Sequence, residues 1–338
     1  MAAPEAPIAT PPDVFANHTI IDAPYKHVCA SKTPILTSII VPKARQPNSS
    51  KRPLAIFFHG GALVVGGRTY APWFSPWILE YVRQHDGILL SPDYRLLPEH
   101  SGKEILEDVK DFFAWIASPS GLAAALPKGI EVDVSDILVT GGSAGGYLSI
   151  QSGLLNLPET QRKAIKAIIS QYPMLDMRDK WWTEDYEKNI FSAGPNPPKH
   201  LLADHLASLK GDEVVTERIP PKDEWMGGSI IGEGLYPKFL GTTTELYPLE
   251  VLAQRAKEGV RVPPTWVFHG TEDDVVPIHG THKFVDLWKE SLPGREAELY
   301  VNYETGAHGF DAEGTVETAW VKKGLEFVAQ YWPGKASY

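Results

Sequence analysis

The sequence predicts an α/β fold: a mostly parallel, twisted sheet flanked by helices, with one mostly helical insertion. Three observations carry this reading. Short apolar runs alternate along the chain with stretches whose apolar residues recur at helical spacing. Two of the runs, LAIFFHGG and DILVTGGS, end in glycine turns, as expected of parallel strands buried on both faces. One long stretch rich in Trp, Tyr, Pro and Gly, from Asp176 to Leu246, breaks the alternation without a clear strand.

The elements follow in order. YKHVCAS and ILTSIIVP, on either side of a Lys-Thr-Pro turn, predict an antiparallel pair of leading edge strands. The polar loop KARQPNSSKRP leads to LAIFFHGG, the first core strand, and WFSPWILEYVRQH predicts a helix before the strand GILLSPDY. EILEDVKDFFAWIAS is a second helix, DILVTGGS a strand, AGGYLSIQSGLLNL a helix and AIKAIISQYPML a strand. PPTWVFHG and ELYVNYE supply two later strands, with a helix around HKFVDLWKESL between them and a last helix at WVKKGLEFVAQYW. A structureless loop as long as 176–246 does not suit a compact domain, so that segment is expected to be a helical lid over the strand ends. The expected organisation is therefore an α/β domain from 21–175 and 247–338, a lid from 176–246, and a proline-rich tail from 1–20 able to join the lid through Val14, Phe15 and Ile20.

Composition narrows the function classes. The 338 residues are 43% hydrophobic and 22% charged, enough for one sizeable core. A net charge of -10 repels phosphate backbones and anionic membranes, so neither nucleic acid nor membrane is an expected partner. The single cysteine, Cys29, excludes an intrachain disulfide and is expected as a small apolar residue of an early strand. The beginning MAAPEAPIATPPDVFANHT lacks the basic start and apolar run of a signal peptide, and no segment approaches the ~20 apolar residues of a bilayer span. The expectation is a soluble, cytoplasmic protein, monomeric or a homodimer.

The chemistry is carried by a few short motifs. Gly141-Gly142-Ser143-Ala144-Gly145 has the form G-x-S-x-G and lies between an apolar strand and a helical pattern. In that context the small neighbours let strand and helix approach while the serine hydroxyl points outward, at a helix N-terminus that favours developing negative charge. A phosphate-cradling turn with Ser143 as a mere cap is the competing reading of the motif alone. Phe58-His59-Gly60-Gly61-Ala62 at the end of the first core strand favours acyl transfer, because that chemistry makes a tetrahedral oxyanion that fixed N–H groups can hold. Gly60, Gly61 and Ala144 are the candidate donors, and His59 is expected to brace its loop rather than act as base.

A serine hydroxyl needs a base, and the base needs an orienting acid, in the chain order Ser, acid, His. His308, in a glycine-containing loop after the last predicted strand, suits the base. For the acid, the turn His269-Gly270-Thr271-Glu272-Asp273-Asp274-Val275-Val276-Pro277 offers Glu272, Asp273 and Asp274, while His279 and His282 open the helix that follows. In the lid, Trp181, Trp182, Phe191 and Trp225 are candidate substrate contacts, each equally suited to packing.

With these motifs in view, the chain resembles the hormone-sensitive-lipase-like esterases of the α/β-hydrolase fold (the fold-3 type) from about Tyr25 onward. The shared features are the His59-Gly60-Gly61 turn, the run Asp93-Tyr94-Arg95-Leu96 with Pro98-Glu99-His100, and the Ser143-Ala144-Gly145-Gly146 elbow. The resemblance implies a Ser, Asp, His triad without metal or cofactor, acting on relatively small acyl esters. An aspartate placed before Val-Val-Pro is what the hydrolase pattern implies for the acid, which puts Asp273 ahead of Asp274 and Glu272. The arginine of the Asp93-Tyr94-Arg95 run is expected to pin loops through carboxylates. Two departures stand out: Gly142 where the family usually has an acidic residue, and Ala62 where it often has a third glycine. The expected activity is hydrolysis of a carboxylic ester of a small or medium hydrophobic substrate. An amide or formamide hydrolase, a thioesterase or acyltransferase on a biosynthetic acyl chain, and a noncatalytic ligand receptor are the alternatives.

Overall fold

Period-two alternation along the third strand sets the architecture. Leu54, Ile56 and Phe58 enter one apolar core while Ala55 and Phe57 enter a second core on the opposite face, so this strand is covered on both sides. In the computed structural model, which describes residues 13–28, 33–44, 51–190 and 194–334, it is β3 of an eight-stranded sheet. The strands are β1 (His18–Val28), β2 (Thr33–Pro42), β3 (Arg52–Phe58), β4 (Ile88–Pro92), β5 (Val132–Gly142), β6 (Ile165–Gln171), β7 (Thr265–Gly270) and β8 (Leu299–Glu304). Their spatial order is β1-β2-β4-β3-β5-β6-β7-β8. The pairs β1/β2 and β2/β4 are antiparallel, and every pair from β4 through β8 is parallel.

The order reverses at β3, which pairs β4 on one side and β5 on the other. In an open parallel sheet that reversal opens a crevice at the strands' carboxyl ends. The glycine turn after β3 and Ser143 after β5 both face it.

Helix Gly102–Ala117 shows why the helical segments form where they do. Ser101 and Glu104 make a reciprocal capping box, and Ile105, Leu106, Val109, Phe112, Phe113 and Ile116 give one buried face. Asp108 on that helix meets Arg95 at 2.8–3.0 Å, and Glu104 meets the same guanidinium at 2.8 Å. Arg95 thus ties the loop after β4 to the helix through carboxylates.

Two details differ from the sequence expectation or fall outside what is described. β1 begins at His18, so Ile20 is strand rather than tail, paired with Ile40. Phe15 packs edge-on against Phe74 with ring centroids 5.0 Å apart, and Val14 and Phe15 pack on the same core as Trp77 and Phe57. Cys29 and Phe191 lie outside the described residues.

Among the described residues between β6 and β7, none joins the sheet. The segment carries helices Lys180–Thr183, Lys199–Ser208, Trp225–Gly232 and Tyr236–Phe239, then Pro248–Lys257. Trp182, Leu202, Met226, Ile230, Ile231 and Tyr236 are buried in the same core as Ile56 and Val139. Among the described residues no helix is long and apolar enough to cross a membrane.

Candidate active site

Ser143 stands at the junction of β5 and helix Ala144–Leu154, with φ 59° and ψ -116°. This backbone conformation costs a non-glycine residue about 1–3 kcal/mol, which the surroundings must offset. They do so by close packing: a Cβ on Gly141 would lie 2.5 Å from the Phe58 carbonyl oxygen, and one on Gly145 only 1.9 Å from it. The two outer glycines of G-x-S-x-G therefore let β3 and the helix close on the turn. The Ser143 N–H donates to Gln171 O at 2.9 Å, and its carbonyl accepts from Tyr147 N at 3.0 Å.

The turn after β3 is the second wall. Gly61, Ala62 and Leu63 have φ of 98°, 60° and 61°, a run of left-handed residues. Gly61 alone must be glycine, since its Cβ would fall 2.0 Å from Val65 O. Ala62, where the family often has a third glycine, has φ 60°, and its Cβ lies 3.7 Å from where a Cβ on Gly227 would fall. His59 is buried, its Nδ1–H donates to Gly60 O at 2.8 Å, and its ring stacks on Tyr94 at 4.3 Å. Burial pushes the imidazole pKa down to about 4, so His59 is neutral at neutral pH and braces the turn. Among the described residues no acceptor meets the backbone N–H groups of Gly60, Gly61 or Ala144.

The loops after β7 and β8 come together through Gly270, where a Cβ would lie 2.3 Å from Gly306 O. Thr271 N donates to Glu304 O at 2.8 Å and Glu272 N to Gly306 O at 3.0 Å. This clasp sets His308 Nδ1–H on Asp273 Oδ2 at 2.7 Å. The other carboxylate oxygen of Asp273 accepts from Val275 N and Val276 N at 2.9 and 2.8 Å. His269 adds its Nε2 at 3.2 Å from Oδ2. Burial works to raise the Asp273 pKa, but the hydrogen bonds from His269, His308 and the backbone overcome it and hold the carboxyl well below the usual range. Asp274 instead borders a shallow surface depression with Asp179 and Tyr186, and Glu272 is exposed.

Gly60, Gly61, Ser143 and His308 line one cavity of about 800 Å³. Ala144 lies fully buried beneath the serine. Trp182 and Trp225 line the cavity, as do Trp73, Phe74, Met174 and Ile231. Trp181, expected at the substrate, does not: its indole N–H donates to Val275 O at 3.0 Å, which turns the ring toward the depression beside Tyr186. Adjacent tryptophans on a short helix cannot both face one cavity, and sequence gives no means of choosing between them. Outside the cavity, Asp176, Asp179 and His279 place donor atoms within 4.8 Å of one another, where the Lys283 ammonium meets Asp176 at 2.5 Å.

Two residues that hold the glycine turn were missed in the sequence because they lie far along the chain. Arg218 exchanges backbone hydrogen bonds of 2.8 Å with Gly66 and donates Nη1 to the carbonyls of Val64 and Leu97. Its Nη2 meets Glu99 at 2.7 Å, with both side chains at most 5% exposed. Tyr236 donates its hydroxyl to Ala62 O at 2.8 Å. Arg218→Met is expected to destabilise the fold by about 3–5 kcal/mol, since it leaves the buried Glu99 carboxylate with only the His205 imidazole at 2.7 Å and frees the carbonyls of Val64 and Leu97. Denaturant unfolding of the variant checks this, and a loss under ~1 kcal/mol would contradict it.

Comparisons with known proteins agree with this fold. A family model described as the alpha/beta hydrolase fold matches residues 55–202. A probable carboxylesterase from a Phoma species is 32% identical over 326 residues, spanning 94% of this chain and 98% of its own. A non-reducing polyketide synthase from Emericella nidulans is 25% identical over 90% of this chain, which corresponds to 14% of the synthase. Among solved structures, butyrate-bound esterase 2 of Thermogutta terrifontis superposes with TM-score 0.57 at 21% identity, covering 94% of this chain and 93% of its own. A Staphylococcus aureus protein of unknown function superposes with TM-score 0.61 at 17% identity, covering 93% and 98%.

Proposed function

Because this chain belongs to the hormone-sensitive-lipase-like esterases of the α/β-hydrolase fold, we propose that it hydrolyses carboxylic esters of small or medium hydrophobic substrates through Ser143, His308 and Asp273. The observation that carries the proposal is the His308–Asp273 hydrogen bond of 2.7 Å at the edge of the cavity that Ser143 lines. Asp273 occupies Nδ1, which leaves Nε2 as the basic nitrogen and stabilises the imidazolium when it forms.

In the proposed reaction Ser143 Oγ attacks the acyl carbonyl carbon and passes its proton to His308. The resulting oxyanion is received by the free N–H groups of Gly60, Gly61 and Ala144, each worth about 3 kcal/mol to the transition state. Collapse expels the alcohol, which takes the proton from His308. Water then attacks the acyl-enzyme, giving its proton to the same imidazole, and the second collapse releases the acid and restores Ser143. No metal or cofactor takes part. The segment 176–246 acts as the cap of the α/β domain formed by 21–175 and 247–338. Trp182 and Trp225 from that cap, with Trp73 and Met174 from the domain, give the cavity an apolar character suited to a hydrophobic acyl or alcohol group.

A second reading, release or transfer of an acyl group held as a thioester, is favoured by the match to part of a polyketide synthase. Ester, thioester and amide versions of one acyl group separate the readings. The ester is expected to give the highest kcat/KM, and fluorophosphonate probes are expected to label Ser143. A thioester preference above ~100-fold would move the assignment to acyl release, and an unlabelled serine would move it to a ligand receptor.

A further inference from the structure

Helix Trp225–Gly232 of the cap carries three glycines in eight residues, a composition that weakens a helix relative to alanine. Two of them have a packing reason. A Cβ on Gly232 would lie 2.6 Å from Asn196 Cγ, and one on Gly228 would lie 3.3 Å from Pro197 Cγ. At Gly227 the space is open: among the described residues only Ala62 Cβ would come within 4 Å of an added Cβ, at an ordinary contact distance of 3.7 Å. Alanine would fit there, so packing does not account for the glycine.

What lies in front of Gly227 is the catalytic cavity. Gly227, Gly228 and Ile231 present one face of the helix to it, with Trp225 beside them. The helix is held in place. Lys188 Nζ donates to the carbonyls of Ile231 and Gly232 at 2.8 and 3.1 Å, Met226 and Ile230 are fully buried, and the Tyr236 hydroxyl ties the next helix to Ala62 O at 2.8 Å. A side chain added at 227 therefore enters the cavity rather than displacing the helix.

The sheet order decides which end of a substrate meets this gap. Ala62 follows β3, Ser143 follows β5 and His308 follows β8, and β3 and β8 lie on opposite sides of β5. The leaving alcohol takes its proton from His308 and so occupies the β8 side, which leaves the β3 side, over the glycine turn, to the acyl chain. A Cβ on Gly60 would lie 3.6 Å from Ser143 Cβ, and Ala62 is two residues farther on, at most ~7 Å of chain, so an acyl group of about six carbons reaches the gap. We propose that the gap between Ala62 and Gly227 is the aperture of the acyl pocket, and that the missing side chain at Gly227 is what admits medium acyl chains. The inference rests on the reading of Ser143 and His308 as nucleophile and base.

The test uses the full chain with two ester series: acetyl and hexanoyl esters of 4-nitrophenol, which vary the acyl group, and acetates of ethanol and hexanol, which vary the alcohol. Gly227→Leu fills the gap and is expected to lower the hexanoyl-to-acetyl ratio of kcat/KM by at least about thirtyfold, while the hexyl-to-ethyl ratio stays within about threefold of native. Gly227→Ala is expected to lower the acyl ratio by about threefold to tenfold and to raise the thermal midpoint by about 1–3 °C, because alanine suits the helix better. Adding Ala62→Gly to Gly227→Ala is expected to return the acyl ratio to within about twofold of native, since it removes the methyl that the new one meets. A glycine with a merely structural role would affect both acyl esters alike and leave their ratio unchanged. Should Gly227→Leu fail to fold, Gly227→Ala and its rescue still decide the matter. An unchanged acyl ratio, a fall in the alcohol ratio instead, or no return with Ala62→Gly would each overturn the aperture. If Ser143→Ala is inactive while the acyl ratio is native in both Gly227 variants, the aperture alone fails; if Ser143→Ala is active, the reading beneath it fails and the aperture with it.

Discussion

Replacing Ser143 with alanine is expected to abolish turnover of an activated ester and to leave the fold intact. The side chain makes no hydrogen bond on which the turn depends: the turn is held by the backbone bonds to Gln171 and Tyr147 and by the contact of Gly141 and Gly145 with the Phe58 carbonyl. Alanine at φ 59° meets the same backbone cost as serine, so stability is expected to change by less than about 1 kcal/mol. The rate is expected to fall by at least ~10⁴-fold, to the residual level that oxyanion donors and binding provide without a nucleophile. Steady-state hydrolysis, circular dichroism and fluorophosphonate labelling check this together. A folded variant that retains more than a few per cent of activity would remove Ser143 from the mechanism.

The second large effect is expected at Asp273. Asp273→Asn keeps the size of the side chain but presents an amide that can donate to His308, which favours the wrong tautomer at Nε2. A loss of kcat near 10⁴-fold is expected, with KM little changed. The same substitution also changes how stability depends on pH. Because the folded carboxyl pKa lies below its unfolded value, the ionised Asp273 contributes stability that is complete above about pH 4 and disappears as pH falls through the folded value. The native protein is therefore expected to exceed the variant in stability most clearly near neutrality, with the gap closing on acidification. A gap that widens toward low pH would contradict the assignment of a depressed carboxyl. Asp274→Asn, by contrast, is expected to leave kcat within about twofold, since that side chain borders the outer depression rather than His308.

Much of the site can be read from the chain because its motifs are local. A glycine turn after β3, a serine at the end of β5 and loops after β7 and β8 are each specified by a few neighbouring residues, and a parallel sheet brings its carboxyl ends to one side. The choice between Asp273 and Asp274 was not local. It depends on which carboxylate faces the His308 loop once Gly270 and Gly306 have closed on each other. The two tryptophans at 181 and 182 were equivalent in sequence, and only packing turned one into the cavity and the other out. Arg218 and Tyr236 carried no motif at all, because their targets are backbone carbonyls of a turn far upstream.

By itself the sequence determined the order of strands and helices, the doubly covered sheet and the residues that bring serine, histidine and acid to one end of it. Periodicity and glycine placement encode these over short range. The tertiary structure decided how the site is held: Arg218 and Tyr236 on the glycine turn, and the backbone clasp of the β7 and β8 loops behind His308. Those contacts join residues distant in the chain, and they exist only once burial has brought backbone carbonyls and buried side chains within hydrogen-bonding reach of one another.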